Sequence, residues 1–204
     1  MSSYNKLISA TTAKRARAEG ISGVTHRITR QTGEIDDMAT QNLKNLLYAG
    51  FDLIGGYNVV YTSGGLGQVD TYLHQADQAA PWWRDHPGWF WQIDLETWPH
   101  DRVSATLGIA VAKRLRAMSG KPVALYASHG EYGEQLGGWD GPLWNANYPS
   151  MREAPFRDLY PGDNGPGWTP YSSKTPILWQ YASSATIAGL TSCDISAYRG
   201  TLTQ

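Results

Sequence analysis

Gly88-Trp89-Phe90-Trp91-Gln92-Ile93-Asp94-Leu95-Glu96-Thr97-Trp98 is an apolar, aromatic run that closes on two carboxylates one residue apart. Read as a strand over residues 89–95, it alternates faces: Asp94 and Glu96 project to one side, with Cα atoms about 6–7 Å apart, and Leu95 points to the other. Two acids on one face repel each other, and a chain that keeps them there has a use for the pair. The neighbouring elements decide what kind of sheet this strand joins.

Downstream, residues 103–118 have a helical pattern stopped by Ser119-Gly120, with Lys113, Arg114 and Arg116 toward the C-terminal end. Strands follow at 122–128, 143–148 and 176–181, with a turn or short strand at 188–190, a closing segment at 193–198 and a long irregular, functional loop at 149–176. Upstream, a helix over 6–19 ends at Gly20, a β-branched strand covers 21–29, and a helix capped by Asp36 or Asp37 runs to Gly50. A strand with a glycine pair, Gly55-Gly56, covers 51–61, a loop 63–67, and a helix 68–80. Strands alternating with helices predict a parallel sheet with helices outside, and the strand-rich second half predicts a barrel that begins as β/α units and finishes with plain strands. Reacting side chains of such barrels sit where the strands end, which is where Asp94-Leu95-Glu96 stands.

Composition narrows the classes. A chain of 204 residues, 41% of them hydrophobic, is long enough for a real core and is read as one domain over 1–204. A formal net charge of −1 supplies no field for nucleic acid, so none is expected as a partner. One cysteine, Cys193, excludes a disulfide framework and a cysteine-rich zinc site, and the five histidines lack ligand spacing, so no metal is expected. No apolar run reaches the roughly 18 residues that a bilayer requires, so membrane insertion is not expected, and the N-terminus has no apolar signal core, which predicts synthesis in the cytoplasm. Nine Trp and twelve Tyr against three Phe favour aromatics with a polar edge, which line sugar sites but also fill ordinary cores.

Glycoside hydrolysis uses two carboxyl groups, one to protonate the leaving oxygen and one to support the positive charge developing on the sugar, to act as nucleophile or to activate water. Burial and a neighbouring like charge both raise the pKa of a glutamate at the end of an apolar strand, which suits a general acid. Glu96 is therefore assigned as the proton donor and Asp94 as its charged partner. The competing structural reading has Asp94 capping the next helix and Glu96 paired with Arg102.

Trp91-Gln92-Ile93-Asp94-Leu95-Glu96, Gly120-Lys121-Pro122-Val123-Ala124-Leu125-Tyr126-Ala127-Ser128, Leu143-Trp144-Asn145-Ala146-Asn147-Tyr148, Ile177-Leu178-Trp179-Gln180-Tyr181 and Cys193-Asp194-Ile195-Ser196-Ala197-Tyr198 occur in the order and spacing of one family. The chain resembles the glycoside hydrolase family 25 lysozymes. The resemblance implies a modified TIM-like (β/α)5β3 barrel without cofactor. It implies cleavage of the β-1,4 bond between N-acetylmuramic acid and N-acetylglucosamine in bacterial peptidoglycan, and retention of configuration with Asp94 orienting the substrate's acetamido group. Asp94, Glu96 and Asp194 match the family's carboxylates, while Tyr57, Tyr126, Trp144, Trp179 and Gln180 match positions that line its groove. For the aromatics among these, plain barrel packing stands as an equal alternative.

Two departures stand out. The family opens with a strand ending in aspartate, in a context like Asp-x-Ser-x-Tyr, whereas this chain opens Met1-Ser2-Ser3-Tyr4-Asn5. The first strand and its acid are therefore expected to be missing from this numbering, and another segment or chain is expected to complete the barrel. Otherwise the protein is a glycan-binding or structural module that no longer cuts. Asn58 stands where the family often has histidine, which predicts altered specificity. The expected role is a phage lysis or virion protein acting on the bacterial cell wall.

Overall fold

The structure, a computed structural model, describes residues 7–29, 33–97 and 102–200. In chain order the helices are α1 (Ala10–Ala18), α2 (Ala39–Tyr48), α3 (Gln68–Ala79), α4 (Ala105–Ser119) and two single turns, α5 (His129–Tyr132) and α6 (Phe156–Leu159). The strands are β1 (Gly23–Thr29), β2 (Leu53–Val59), β3 (Trp89–Leu95), β4 (Val123–Ala127), β5 (Leu143–Ala146), the two-residue β6 (Ala154–Pro155), β7 (Leu178–Ile187) and β8 (Leu190–Tyr198).

Strands β1 to β5 and then β7 lie side by side, all parallel; β6 pairs briefly with β7, and β8 runs antiparallel along β7. Each of β1 to β4 is followed by a helix, and α1 stands ahead of β1 as the helix of a fifth unit. The curved α/β sheet is thus the expected (β/α)5β3 arrangement without its first strand. Among the described residues no strand pairs with the outer edge of β1 or of β8.

Side chains tie the two ends of the sheet together instead. Glu19, at the end of α1, accepts the Ala188 N–H at 2.8 Å, its carbonyl accepts Arg157 Nη2 at 2.6 Å, and Arg15 holds its carboxylate at 3.0 Å.

The period-two reading of the central strand holds. Trp89, Trp91, Ile93 and Leu95 are buried in the main core, where Trp89 and Trp91 meet Trp83 at ring distances of 5.8 and 5.2 Å. That packing explains Gly56: a Cβ there would lie 2.7 Å from Ile28 Cγ1 and 2.9 Å from a Trp91 ring carbon.

Three expectations change. The fifth strand stops at Ala146, because Asn147 and Tyr148 turn away to bond with β7 side chains and backbone. The irregular loop over 149–176 contains β6, α6 and a 3₁₀ turn at Pro166–Trp168, packed with Trp179 and Tyr181 in a second core. Strand β7 continues six residues past Tyr181 to Ile187, because β8 pairs back along it through the left-handed turn residues Ala188 (φ 52°) and Gly189 (φ 83°). Ala182-Ser183-Ser184-Ala185-Thr186 is a weak strand former alone, and its pairing is what extends it.

Candidate active site

A cavity of about 1460 Å³ lies inside the curved sheet, and its wall includes Asp94, Glu96, Asp194, Tyr57, Tyr126, Trp144 and Gln180. Asp94 is the sixth residue of β3, with Val59 of β2 and Tyr126 of β4 as its register neighbours; Glu96 follows just past the strand end, and Asp194 comes from β8. The sheet thus gathers three carboxyl groups and four of the five expected groove residues.

Trp179 is the exception. It is fully buried on the opposite face of β7, crossing Trp168 edge-on at 5.5 Å and donating its Nε1 hydrogen to the Asn147 carbonyl at 2.7 Å. Trp179 and Gln180 are consecutive strand residues, so they cannot both face the groove. Trp144 and Tyr126 line the cavity mainly as wall: they are 7% and 3% exposed, pack edge-to-face at 6.0 Å, and Trp144 donates to Ser196 Oγ at 3.0 Å. Asn58 also points away from the cavity; it is fully buried and accepts a hydrogen bond from Thr29 at 2.9 Å, so it does not reach a ligand there.

The structural alternative for the acid pair does not form. The cap of α4 is Ser104, which accepts the Leu107 N–H at 3.2 Å, and Arg102 donates to the Glu131 carbonyl and stacks over Tyr132.

Burial pushes the Asp94 carboxyl well above the usual range, and the charges of Glu96 and Asp194 push it further, against a smaller opposing pull from Arg27. Its Oδ1 is buried and has no hydrogen-bond partner among the described residues. Glu96 is also raised by burial and by the charges of Asp194 and Glu131, against a lowering influence of the nearby Tyr126 hydroxyl. Burial raises Asp194 as well. Both carboxyl groups of the pair are thus held above the ordinary carboxylate range, Asp94 as the more deeply buried of the two.

Three residues here escaped the sequence reading. Arg27 on β1 lines the cavity and is held by Asp36 through Nε at 2.8 Å and Nη2 at 2.6 Å. Tyr148 bonds to both Tyr126 and Gln180. Glu131 accepts the Thr97 hydroxyl at 2.8 Å and adds negative charge near Asp94 and Glu96. Period-two alternation from Thr25, which donates to Gln92 inside the barrel at 3.0 Å, would have found Arg27; nothing local marks the other two. Among the described residues no group of His, Cys, Asp and Glu is placed to hold a metal ion.

No protein-family model and no curated protein sequence matches this chain. Solved structures do. The catalytic domain of an endolysin from a bacteriophage of Listeria monocytogenes superposes with a TM-score of 0.67 at 17% identity, covering 96% of this chain and 91% of that one. A muramidase from Trichobolus zukalii gives 0.66 at 17% identity, covering 96% and 93%, and a family 25 glycosyl hydrolase from Bacillus anthracis gives 0.64 at 12% identity, covering 96% and 88%. The chain has the family 25 glycosidase fold. Within the family 25 fold, Asp94 and Glu96 stand at the C-terminal end of a central parallel strand, the face that carries chemistry in barrels of this kind.

Proposed function

We propose that this protein is an N-acetylmuramidase, hydrolysing the β-1,4 bond between N-acetylmuramic acid and N-acetylglucosamine in bacterial peptidoglycan. The observation that carries the reading is the pair of buried Asp94 and half-buried Glu96 on one cavity wall of a family 25 fold. Glu96 protonates the glycosidic oxygen as the C–O bond breaks, and as a carboxylate it then takes a proton from the incoming water. Asp94 orients the substrate's acetamido group and faces the positive charge that develops at the sugar carbon. A substrate amide N–H donating to the buried Asp94 Oδ1 stabilises that carboxylate.

The same reading assigns the outer edges of β1 and β8, with which no strand pairs among the described residues, to an added strand, supplied by a segment outside the described residues or by another chain, with a further carboxylate for the site. Action on the cell wall during phage lysis or entry fits this chemistry. The alternative is a module that binds glycan without cutting it, favoured by the open seam between those edges.

Purified peptidoglycan is digested and new reducing ends are identified by mass spectrometry. Wild type is expected to release them, and Glu96→Gln to lose about 10²–10⁴-fold in rate, the usual worth of a general acid. Full activity in Glu96→Gln overturns the assignment; glycan binding without cleavage by wild type supports the module.

A further inference from the structure

Arg27 is the last side chain that β1 turns into the cavity, and the backbone around it is built to make it so. The register with β2 slips just beyond it: Arg27 stands opposite Tyr57 and Thr29 opposite Asn58, so Ile28 is an extra residue on β1, a bulge that re-aims the strand. Ile28 goes to the main core, and the fully buried Thr29 donates to Asn58 at 2.9 Å, away from the cavity. His26 Nδ1 holds the Arg27 carbonyl at 2.8 Å. The guanidinium is braced as well. Its Nε and Nη2 both donate to Asp36 Oδ2, at 2.8 and 2.6 Å, while Asp36 Oδ1 accepts the Met38 N–H at 3.1 Å. Asp36 thus takes one edge of the group. A guanidinium has five N–H donors, and the hydrogens left on Nη1 and Nη2 form a second, end-on fork of the shape that matches a carboxylate.

We infer that Arg27 is a ligand-binding residue, the cationic subsite of this cavity, and that it takes a carboxylate carried by the N-acetylmuramic acid residue of the glycan. The inference deepens the muramidase reading and rests on it for the identity of the sugar. The charge of the cavity requires such a group. Asp94, Glu96 and Asp194 share its wall, and a site lined by acids alone repels an anionic sugar. Two cations line the cavity among the described residues, and Arg157 is taken up at the end of α1, where Nη2 donates to the Glu19 carbonyl at 2.6 Å. Arg27 is close to the acids by register: it neighbours Tyr57, and Tyr57 neighbours Gln92, two residues before Asp94 on the same face of β3. The carboxylate has two sources. On bare glycan it is the lactyl group of the sugar; where a stem peptide is attached, that group is an amide and the free carboxylates belong to the peptide.

The test measures binding by NMR titration with disaccharides that lack the bond a muramidase cuts. The ligands are N-acetylglucosaminyl-N-acetylmuramic acid with a free lactyl group, the same disaccharide bearing a stem peptide with free or with fully amidated carboxyl groups, and neutral diacetylchitobiose. Wild type is expected to bind a carboxylate-bearing ligand more tightly than the two neutral ones. Arg27→Gln is expected to lose about tenfold or more on that ligand, the worth of a charged hydrogen bond, and little on diacetylchitobiose. A loss confined to the free lactyl ligand assigns the subsite to bare glycan, and one confined to the free stem carboxylates assigns it to the peptide. Arg27→Lys keeps a cation beside Asp36 without the second fork and is expected to lose less than Arg27→Gln; it carries the test if the Gln variant melts early. Equal weakening on charged and neutral ligands overturns the inference, as does a wild type with no preference for the carboxylate. The muramidase reading is judged separately by cleavage: Arg27-dependent binding without cutting keeps this inference and removes that reading, and cutting without such binding does the reverse.

Discussion

At the scale of single residues, two buried titratable groups pull stability in opposite directions with pH. Asp94 binds its proton more tightly in the folded protein than at the ordinary carboxylate value of 3.8, because burial and nearby carboxylates disfavour its charge. Folding is then linked to proton uptake, and its contribution to stability falls as pH rises from about 4 toward the raised folded value. Asp94→Asn is therefore expected to melt at a higher temperature than wild type at pH 7, with the gain fading as pH falls toward 4; each kcal/mol corresponds to about 2–4 °C in a chain of this size. A gain that grows on acidification would contradict the burial argument. His26 works the other way. Its Nδ1–H donates to the Arg27 carbonyl at 2.8 Å, so the lone pair on Nε2 accepts from Asn42 at 2.8 Å, and Asn42 accepts the Ile8 N–H in turn. Burial pushes the imidazole down from 6.5 to about 4, so the unfolded chain takes up a proton first and stability is lost as pH falls across that interval. His26→Gln is expected to be less stable at pH 7 but to lose less between pH 6.5 and 4, measured by thermal melts at a series of pH values. An equally steep loss would show that another group titrates there.

Among the elements, α4 and β3 are the pair whose contact places the acids. Gly108 sits where a Cβ would come 2.4 Å from Leu95 Cδ2, so the helix lies close over the strand just before Glu96. Alanine at position 108 gains about 1 kcal/mol of helix propensity but meets about 1–3 kcal/mol of overpacking against a fully buried leucine. The overpacking wins because the added methyl would meet three carbons of the fully buried Leu95 within 3 Å, not only the tip of its side chain. Gly108→Ala is expected to lower stability by about 1 kcal/mol, read from the urea midpoint, and to reduce activity more than the stability loss explains. A more stable variant would mean that the helix shifts without strain. The same strand logic governs β7, where Gln180 faces the cavity because Trp179 faces the second core. Alternation was legible there before any coordinates, and it outranks a family position that assigns both residues to the groove.

For the whole molecule, the seam between β1 and β8 is the feature with the largest consequence. Among the described residues no strand pairs with the outer edge of either, strand edges invite pairing, and both flank the cavity that holds the acids. Glu19 clamps one end of the seam through Ala188 and Arg157 but supplies no strand along its length. A peptide or fused segment that forms a strand between the edges is expected to raise the melting temperature and to slow hydrogen exchange of the outward amides of β1 and β8. If those amides are already protected in the chain alone, the edges are not free and the added-strand reading fails. Restored cleavage on adding an aspartate-bearing strand, absent with its asparagine counterpart, would assign the added carboxylate to the reaction.

The strand at 89–95, the acid pair on one of its faces and the alternation of strands with helices were legible in the sequence, because a period of two or of 3.6 is a local property of the chain. Asp194 was legible only through its resemblance to a family, since a β8 residue meets β3 residues only when the sheet curls. The tertiary structure alone decided that Tyr148 belongs to the cavity, that Asn58 does not, and that β7 runs to Ile187. It also decided how differently the two carboxylates are buried: the sequence places them together, but Asp94 is buried and Glu96 only half-buried, because of residues distant along the chain.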